Sequence, residues 1–158
     1  STKLRQHRFS MVVEGVDARE AFDASFNSIG SSSSFLFGDR TTLDQRVIAR
    51  LDPTHLITMT SNKVGFGFSK RCFCTATTKH EAELIISNTS ISLDVNLRRA
   101  IRELDDGFVL AHAHNYAVSF QPISDGRCNI VGVFCIEPKG NIPAQASSSQ
   151  ANAKTRFR

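Results

Sequence analysis

The feature of the sequence that most constrains the fold is a pair of strand-like runs near its end. Residues 108–120 and 127–137 are rich in alternating apolar side chains, and the segment between them contains Pro122 and Gly126. Period-two alternation is typical of β-strands, and a short segment with turn-forming residues joins antiparallel neighbours. The two runs therefore predict an antiparallel β-hairpin.

Four further segments have the spacing of helices. Asp17 and Glu20 have the spacing of a capping box, which satisfies backbone N–H groups of the first turn, and Gly30 is a typical helix end. Ser92 and Gly107 enclose the clearest amphipathic stripe in the same way. The four predicted helices are residues 17–30, 42–51, 79–87 and 92–107, and the predicted strands besides the hairpin are residues 8–14, 35–37, 55–60 and 63–78.

This order of elements predicts an α+β fold, a single domain with a mostly antiparallel sheet and about four interspersed helices. A doubly wound parallel sheet would instead need a helix after nearly every strand. A chain of 158 residues is long enough for one domain with a sizeable core. We expect an α+β globular domain at residues 9–142, between a basic N-terminal arm at residues 1–8 and a flexible basic C-terminal tail at residues 143–158.

The basic charge is concentrated at the two ends of the chain. The formal net charge is +4, but without the basic residues of the ends 13 basic residues face 15 acidic ones. The C-terminal segment is mainly Ala, Ser and Gln, with too few apolar residues to form a core. Such arms either keep a protein soluble or neutralise the phosphates of nucleic acid or an anionic membrane surface. The predicted binding residues in the arms are Lys3, Arg5, Arg8, Lys154, Arg156 and Arg158.

Four arginines outside the arms are further candidates for nucleic-acid binding. Three of them lie off the apolar stripe of the predicted helix 92–107, where they form either a solvated face or a phosphate-binding patch. The fourth shares a strand face with Phe73, which could stack on a base. These additional residues are Arg71, Arg98, Arg99 and Arg102.

Two histidines form the most distinctive local pattern. His112 and His114 are two residues apart in a predicted strand, so both imidazoles are expected on one face with Tyr116, Val118 and Phe120. Imidazole is a frequent zinc ligand, but a complete site needs a third or fourth ligand that converges in space. Two alternatives follow, a metal site with zinc as the candidate ion, or histidines that are hydrogen-bonded in the core. No other cofactor is expected.

No motif in the sequence fixes an enzymatic chemistry. There is no GxSxG nucleophile elbow, no phosphate-binding P-loop and no GxGxxG turn. Enzymatic activity is therefore undecided and less favoured than a self-assembling or scaffold function, with the layout of a viral coat, nucleoprotein or matrix protein. The expected partners are RNA, DNA or an anionic membrane surface, and other copies of the chain in a homo-oligomer. Two alternatives remain: a metal-dependent or small-ligand-binding protein that uses the strand of His112 and His114, and a protein–protein interaction module.

The sequence also predicts where in the cell the protein is located. No apolar run approaches the ~18 residues of a membrane span, and the chain does not open on a basic and then apolar signal segment. Its four cysteines are not needed as disulfides in a chain of this length. We expect an intracellular protein, cytoplasmic or nuclear, that is neither secreted nor membrane-spanning.

Overall fold

In the part of the chain that the computed structural model describes, eight β-strands form one sheet and two α-helices pack against it. The structure describes residues 6–31, 42–63, 69–104, 107–124, 126–137 and 139. The strands are β1 (His7–Glu14), β2 (Thr42–Asp52), β3 (His55–Asn62), β4 (Lys70–His80), β5 (Ile85–Ser90), β6 (Phe108–Leu110), β7 (His112–Ser124) and β8 (Arg127–Glu137), and the helices are α1 (Ala18–Asn27) and α2 (Val95–Leu104).

The strands follow the order β1-β8-β7-β5-β4-β3-β2, and the short strand β6 pairs with the beginning of β4. Every pairing is antiparallel except that of β6 with β4, which is parallel. The chain leaves the sheet after β5, forms α2 and returns as β6, so β5 and β7 still pair directly. Among the described residues, neither helix is long and apolar enough to cross a membrane.

The two helices cover opposite faces of the sheet. Phe22 of α1 belongs to the same core cluster as Leu56 of β3, whereas Ile101 of α2 belongs to the cluster of Met59, in the same strand. Side chains alternate along a strand, so residues three positions apart point to opposite faces. We call these faces the α1 face, which includes Leu56, Ile86, Val118, Phe120 and Ile130, and the α2 face, which includes Met59, Cys72 and Cys74.

Three sequence predictions are confirmed. The strands β7 and β8 form the predicted antiparallel hairpin. Helix α1 begins after Asp17, whose Oδ1 accepts a hydrogen bond of 2.8 Å from the backbone N–H of Glu20. Beyond its C-terminal end, Gly30 has a positive φ of +84°, a conformation that favours glycine. The predicted first strand is also present as β1.

The prediction of about four helices is wrong, because the described residues contain two. Residues 42–51 lie in β2, an edge strand paired with β3, although the spacing of Thr42 and Gln45 resembles a capping box. Residues 79–87 form the end of β4, a turn and the start of β5, where the β-branched pair Ile85 and Ile86 suits a strand. Within the predicted helix 92–107, the described residues form α2, which begins after Asp94 and therefore later than predicted.

Some predictions lie outside the described residues. These are the short strand at residues 35–37, residues 1–5 of the N-terminal arm, residues 64–68 of the predicted strand 63–78, and the whole C-terminal tail at residues 143–158. The division into an arm, a domain and a tail remains a prediction.

A partly buried lysine joins α1 to the sheet. The Lys79 side chain is only 11% exposed, and its Nζ lies 2.8 Å from Asp23 Oδ1 and 2.9 Å from Glu81 Oε1. The ammonium group also lies over the rings of Phe22 and Phe26, at 5.1 and 5.6 Å from their centroids. The hydrogen bond that Lys79 donates to Asp23 is the main cause that raises the pKa of Lys79 above its usual value. Lys79 is therefore charged when folded and stabilises the position of α1.

We expect Lys79→Met to lower the free energy of unfolding by about 1–2 kcal/mol, because the carboxylates lose a shielded cation. A raised pKa in the folded state means that this stabilisation is complete below the usual lysine pKa and disappears only as pH rises through the folded value. Urea unfolding at pH 7, followed by circular dichroism, measures the change. The control is Lys139→Met, which breaks a 2.7 Å pair with Glu137 whose side chains are 49% and 36% exposed. It should cost clearly less than Lys79→Met, because solvent screens an exposed pair. Equal losses in the two variants would contradict the role given to Lys79.

The turn between β2 and β3 has a carboxylate at its centre. Asp52 accepts hydrogen bonds from the Thr54 backbone N–H at 2.7 Å and from the Thr54 hydroxyl at 2.8 Å, and it lies 2.8 Å from His55 Nδ1. These contacts, first of all the bond from the Thr54 backbone, lower the pKa of Asp52 to about 2. A lowered pKa stabilises the turn above the usual aspartate value, and this effect is lost as pH falls toward 2. We expect a carbon-13 NMR titration of the Asp52 carboxyl to have its midpoint near pH 2; a midpoint near pH 4 would contradict the turn geometry.

Candidate functional site

The α1 face is covered by α1 over only part of its area. Beyond the helix, a hollow of about 100 Å³ opens on the same face. It is lined by side chains from six of the eight strands, namely Thr42, Gln45, Thr60, Asn62, Phe73, Thr75, Asn88, Ala113, Tyr116, Phe134 and Ile136.

One wall of the hollow is apolar and aromatic. Phe134 of β8 stacks on Tyr116 of β7, with ring centroids 6.0 Å apart, and on His7 of β1, at 5.1 Å. Ala113 and Ile136 extend this wall on neighbouring positions of β7 and β8. The sheet therefore presents a row of flat rings beside small and branched side chains, a surface suited to an apolar molecule.

The opposite wall carries hydroxyl and amide groups. Gln45 Nε2 donates to Thr60 Oγ1 at 3.4 Å, and Thr75 Oγ1 lies 2.9 Å from the buried Thr58 Oγ1. Threonine is common in strands, and here its hydroxyls form a strip along β3 and β4. Such a strip offers hydrogen bonds to a bound molecule without presenting a formal charge.

Two acceptors in this polar wall are not satisfied. Asn62 Oδ1 and Asn88 Oδ1 are buried and have no hydrogen-bond partner among the described residues. Buried polar atoms are usually paired, and an exception calls for a physical explanation. Both residues line the hollow, but the two oxygens themselves have less than 1 Å² of accessible surface and are enclosed by the protein.

A bulge in β7 separates the predicted histidine site from the hollow. The register of β7 against β8 shifts between Ala113 and Asn115, and a bulge of this kind moves following side chains to the other face. Ala113 is therefore buried, while His112 is half-buried and His114 exposed. The expectation that both histidines share a face with Tyr116 is not met.

The histidines have a partner in β8. Their rings lie 4.5 Å apart, and His114 Nε2 is 3.4 Å from Glu137 Oε2. The hydrogen bond from Lys139 is the main cause that lowers the pKa of Glu137. No cluster of three or more potential metal ligands occurs within the described part of the chain. A zinc site at His112 and His114 remains a prediction.

Of the predicted nucleic-acid-binding residues, the structure describes the side chains of Arg8, Arg71, Arg98 and Arg99, which lie on three different elements. Arg8 is exposed on β1, and Arg98 and Arg99 are exposed on α2, where Arg98 Nε donates to the Leu93 carbonyl at 3.0 Å. Arg71 is 3% exposed, and its guanidinium donates to the backbone carbonyls of Ser69 and Lys139. The side chain of Arg102 and the residues Lys3, Arg5, Lys154, Arg156 and Arg158 lie outside what the structure describes.

The hollow is not among the features predicted from the sequence. The signal for it in the sequence is a set of polar residues on the same strand face as core residues. Thr58 and Thr60, for example, share the face of Leu56 in β3. In β5, Asn88 likewise lies two residues after the fully buried Ile86 and so shares its face. Such amides and hydroxyls on an inward face are unusual for a core, but their convergence depends on strand order.

Comparison by sequence finds no similar family or curated protein, whereas comparison by structure finds many similar solved structures. No protein-family model matches the chain, and none of the curated proteins matches it either. Solved structures match over almost its whole length. The lipid transfer and protein localization domain of human StarD13 (DLC2) has a TM-score of 0.67 at 16% identity, covering 96% of this chain and 75% of that one.

Two other solved structures have a similar fold. Human StAR-related lipid transfer protein 5 has a TM-score of 0.68 at 17% identity, with 92% of this chain and 69% of that one covered. The Zhui aromatase/cyclase from Streptomyces sp. R1128 has a TM-score of 0.64 at 8% identity, with 96% and 88% covered. The chain has a START-like helix-grip fold. At these identities the likeness concerns the fold alone.

The fold corrects the functional expectation. The prediction of a self-assembling viral coat, nucleoprotein or matrix protein with RNA, DNA or an anionic membrane surface as its partner is wrong. It rested on the distribution of charge along the chain, which carries no information about strand order. The structural neighbours and the hollow favour the alternative of a small-ligand-binding protein.

Proposed function

We propose that the protein binds a small, mainly apolar ligand in the hollow of the α1 face. The observation that carries this proposal is the hollow itself, with an aromatic wall of Tyr116 and Phe134 facing hydroxyl and amide groups. Ligand sites in proteins are mostly apolar concavities with a few placed polar groups, which is the composition of this lining. The binding site of the proposal therefore differs from the predicted one, which was the strand face of His112 and His114.

The structural neighbours support the same class of function. One of them is named a lipid transfer and protein localization domain, another a lipid transfer protein, and a third an aromatase/cyclase. A lipid is largely apolar, so the names of the first two agree with a site for an apolar molecule. In this chain the burial of apolar ligand surface beside the aromatic row supplies the binding free energy, at about 25 cal/mol per Å².

A fluorescent probe tests the proposal directly. N-phenyl-1-naphthylamine is neutral and apolar, and its emission increases when it leaves water. We expect saturable 1:1 binding with a dissociation constant on the order of 1–100 µM, a range appropriate to a ligand of this size. Titration of the wild-type protein with the probe measures it.

A pair of variants locates the binding site. Ile136 and Val133 are both half-buried aliphatic residues of β8, and they lie three positions apart on opposite faces. Ile136→Trp fills the hollow and should weaken binding at least tenfold, whereas Val133→Trp should change it less than threefold. Absence of saturable binding, or an equal loss in both variants, would contradict the proposal.

A further inference from the structure

We infer that the ligand of the hollow contains a flat aromatic ring, which lies beside Tyr116 and extends a row of three stacked rings. This inference rests on the proposed function and adds the chemical class of the ligand. It follows from the geometry of the row, from the place where the row meets the hollow and from the volume of the hollow.

The row crosses three neighbouring strands at one level. His7 of β1 pairs in register with Phe134 of β8, and Phe134 pairs with Tyr116 of β7. The rings are nearly parallel, with interplanar angles of 22° for His7 and Phe134 and 28° for Tyr116 and Phe134. Their centroid distances of 5.1 and 6.0 Å lie in the range of offset-stacked aromatic pairs. The register of the strands therefore repeats one ring after another across the sheet.

The row reaches the hollow at its Tyr116 end. Tyr116 and Phe134 line the hollow, whereas His7 is not among the described residues of its lining. The next position in register is Asn88 of β5, which has an amide in place of a ring and also lines the hollow. A flat ring in the hollow therefore occupies the place of a fourth member of the row.

The stacking surface is held in position before a ligand binds. Phe134 is 4% exposed, and Tyr116 packs against the core cluster of the α1 face. Rings that are already ordered lose little conformational freedom on binding. A rigid flat ligand also loses little, whereas a flexible chain must give up rotation about several bonds. The surface therefore favours a flat ring over a chain.

The volume of the hollow favours a compact ligand. It is about 100 Å³, compared with the ~150 Å³ of an engineered apolar cavity that binds benzene. One ring therefore fills the hollow and keeps an edge at its opening. An extended acyl chain would leave most of its length in water, where it adds no buried area to the binding free energy.

The test compares three alcohols that are neutral at pH 7 and have ten carbon atoms each. These are 2-naphthol, which is flat and aromatic, decahydro-2-naphthol, which has the same ring skeleton but is saturated and puckered, and 1-decanol, which is a linear chain. Each is titrated into the nitrogen-15-labelled wild-type protein, and the backbone amide signal of Phe134 gives the dissociation constant. Burial alone favours the two saturated alcohols, because their apolar surface is larger. Stacking reverses this order, and we expect 2-naphthol to bind at least fivefold more tightly than either.

Two variants assign the preference to the row. Tyr116→Leu removes the ring at the end of the row and keeps an apolar side chain, so the preference for 2-naphthol over decahydro-2-naphthol should fall below twofold. Phe73→Leu is the matched control, because Phe73 lines the hollow but is not a member of the row. Its preference should stay within twofold of wild type. Amide spectra with the signal dispersion of the wild-type protein show that both variants are folded.

The outcomes separate this inference from the proposed function. Equal binding of the three alcohols by the wild-type protein, or tighter binding of a saturated one, overturns the inference while the hollow still binds ligands. A preference that survives in Tyr116→Leu, or falls equally in Phe73→Leu, overturns the assignment to the row. If neither the three alcohols nor the fluorescent probe binds, the proposed function itself is wrong. The wild-type comparison does not depend on the folding of any variant.

Discussion

Phe22→Ala is expected to lower the free energy of unfolding by about 3–5 kcal/mol, the usual cost of deleting a buried phenylalanine. Phe22 has no exposed surface and meets Phe120 of β7 edge to face, with centroids 5.7 Å apart. The guanidinium of Arg19 and the ammonium of Lys79 also lie over its ring, with Arg19 Cζ 5.5 Å from the ring centroid. Removing the ring leaves a cavity between α1 and the sheet and uncovers the ammonium group of Lys79.

The measurement is urea unfolding followed by far-UV circular dichroism, because the chain has no Trp to report by fluorescence. Leu51→Ala serves as the control, since this side chain of β2 is 64% exposed; it should change the free energy by less than about 0.5 kcal/mol. A loss below about 1 kcal/mol for Phe22→Ala would show that α1 does not form the core contact described here.

Gly132→Ala is expected to destabilise the protein by about 1–3 kcal/mol, the typical cost of forcing extra volume into a packed site. The reason lies in the pairing of β1 with β8, where Phe9 is directly opposite Gly132. A Cβ atom at position 132 would lie 2.0 Å from Phe9 Cε1 and 2.2 Å from Phe9 Cζ. The ring must leave its place, and the edge strand β1 loses a contact with the core.

A double-mutant cycle isolates this contact. In a Phe9→Ala background the added methyl group meets no ring, so Gly132→Ala should cost at most about 0.5 kcal/mol there. Unfolding free energies of the four proteins, measured under the same conditions, give the coupling. Equal costs of Gly132→Ala in both backgrounds would exclude the approach of Phe9 to Gly132 as the cause.

The parts of the fold that sequence predicts well are those fixed by local interactions. Helix α1 was predicted from Asp17, Glu20 and Gly30, and each of these acts within a few residues along the chain. The hairpin of β7 and β8 likewise depends on two adjacent strands and a short turn. Neither element needs information from a distant part of the chain.

The errors arose where pairing with distant residues overrides a local pattern. Thr42 and Gln45 have the spacing of a helix start, but β2 is held by β3 along its whole length. The segment 79–87 has apolar residues at helical intervals, yet its two halves belong to different strands of a hairpin. Strand pairing supplied the hydrogen bonds that a helix would otherwise have made.

The candidate site could not be predicted for two physical reasons. A single bulge after Ala113 reverses the facing of the residues around it, and so it moved the histidines away from Tyr116. The lining of the hollow also comes from strands far apart in sequence, such as β2 and β8. Only the strand order brings these residues to one face, and no local pattern encodes that order.

The most direct test of ligand binding in the hollow is the mapping of 2-naphthol onto the nitrogen-15-labelled protein by NMR. We expect saturable changes in the backbone amide signals of Thr60, Asn88 and Phe134, which line the hollow, while Met59 and Cys72 on the α2 face remain unchanged. Both groups lie in regular strands of one sheet, so the comparison separates a ligand in the hollow from a general effect on the protein. No saturable change, or changes centred on the α2 face, would contradict the account.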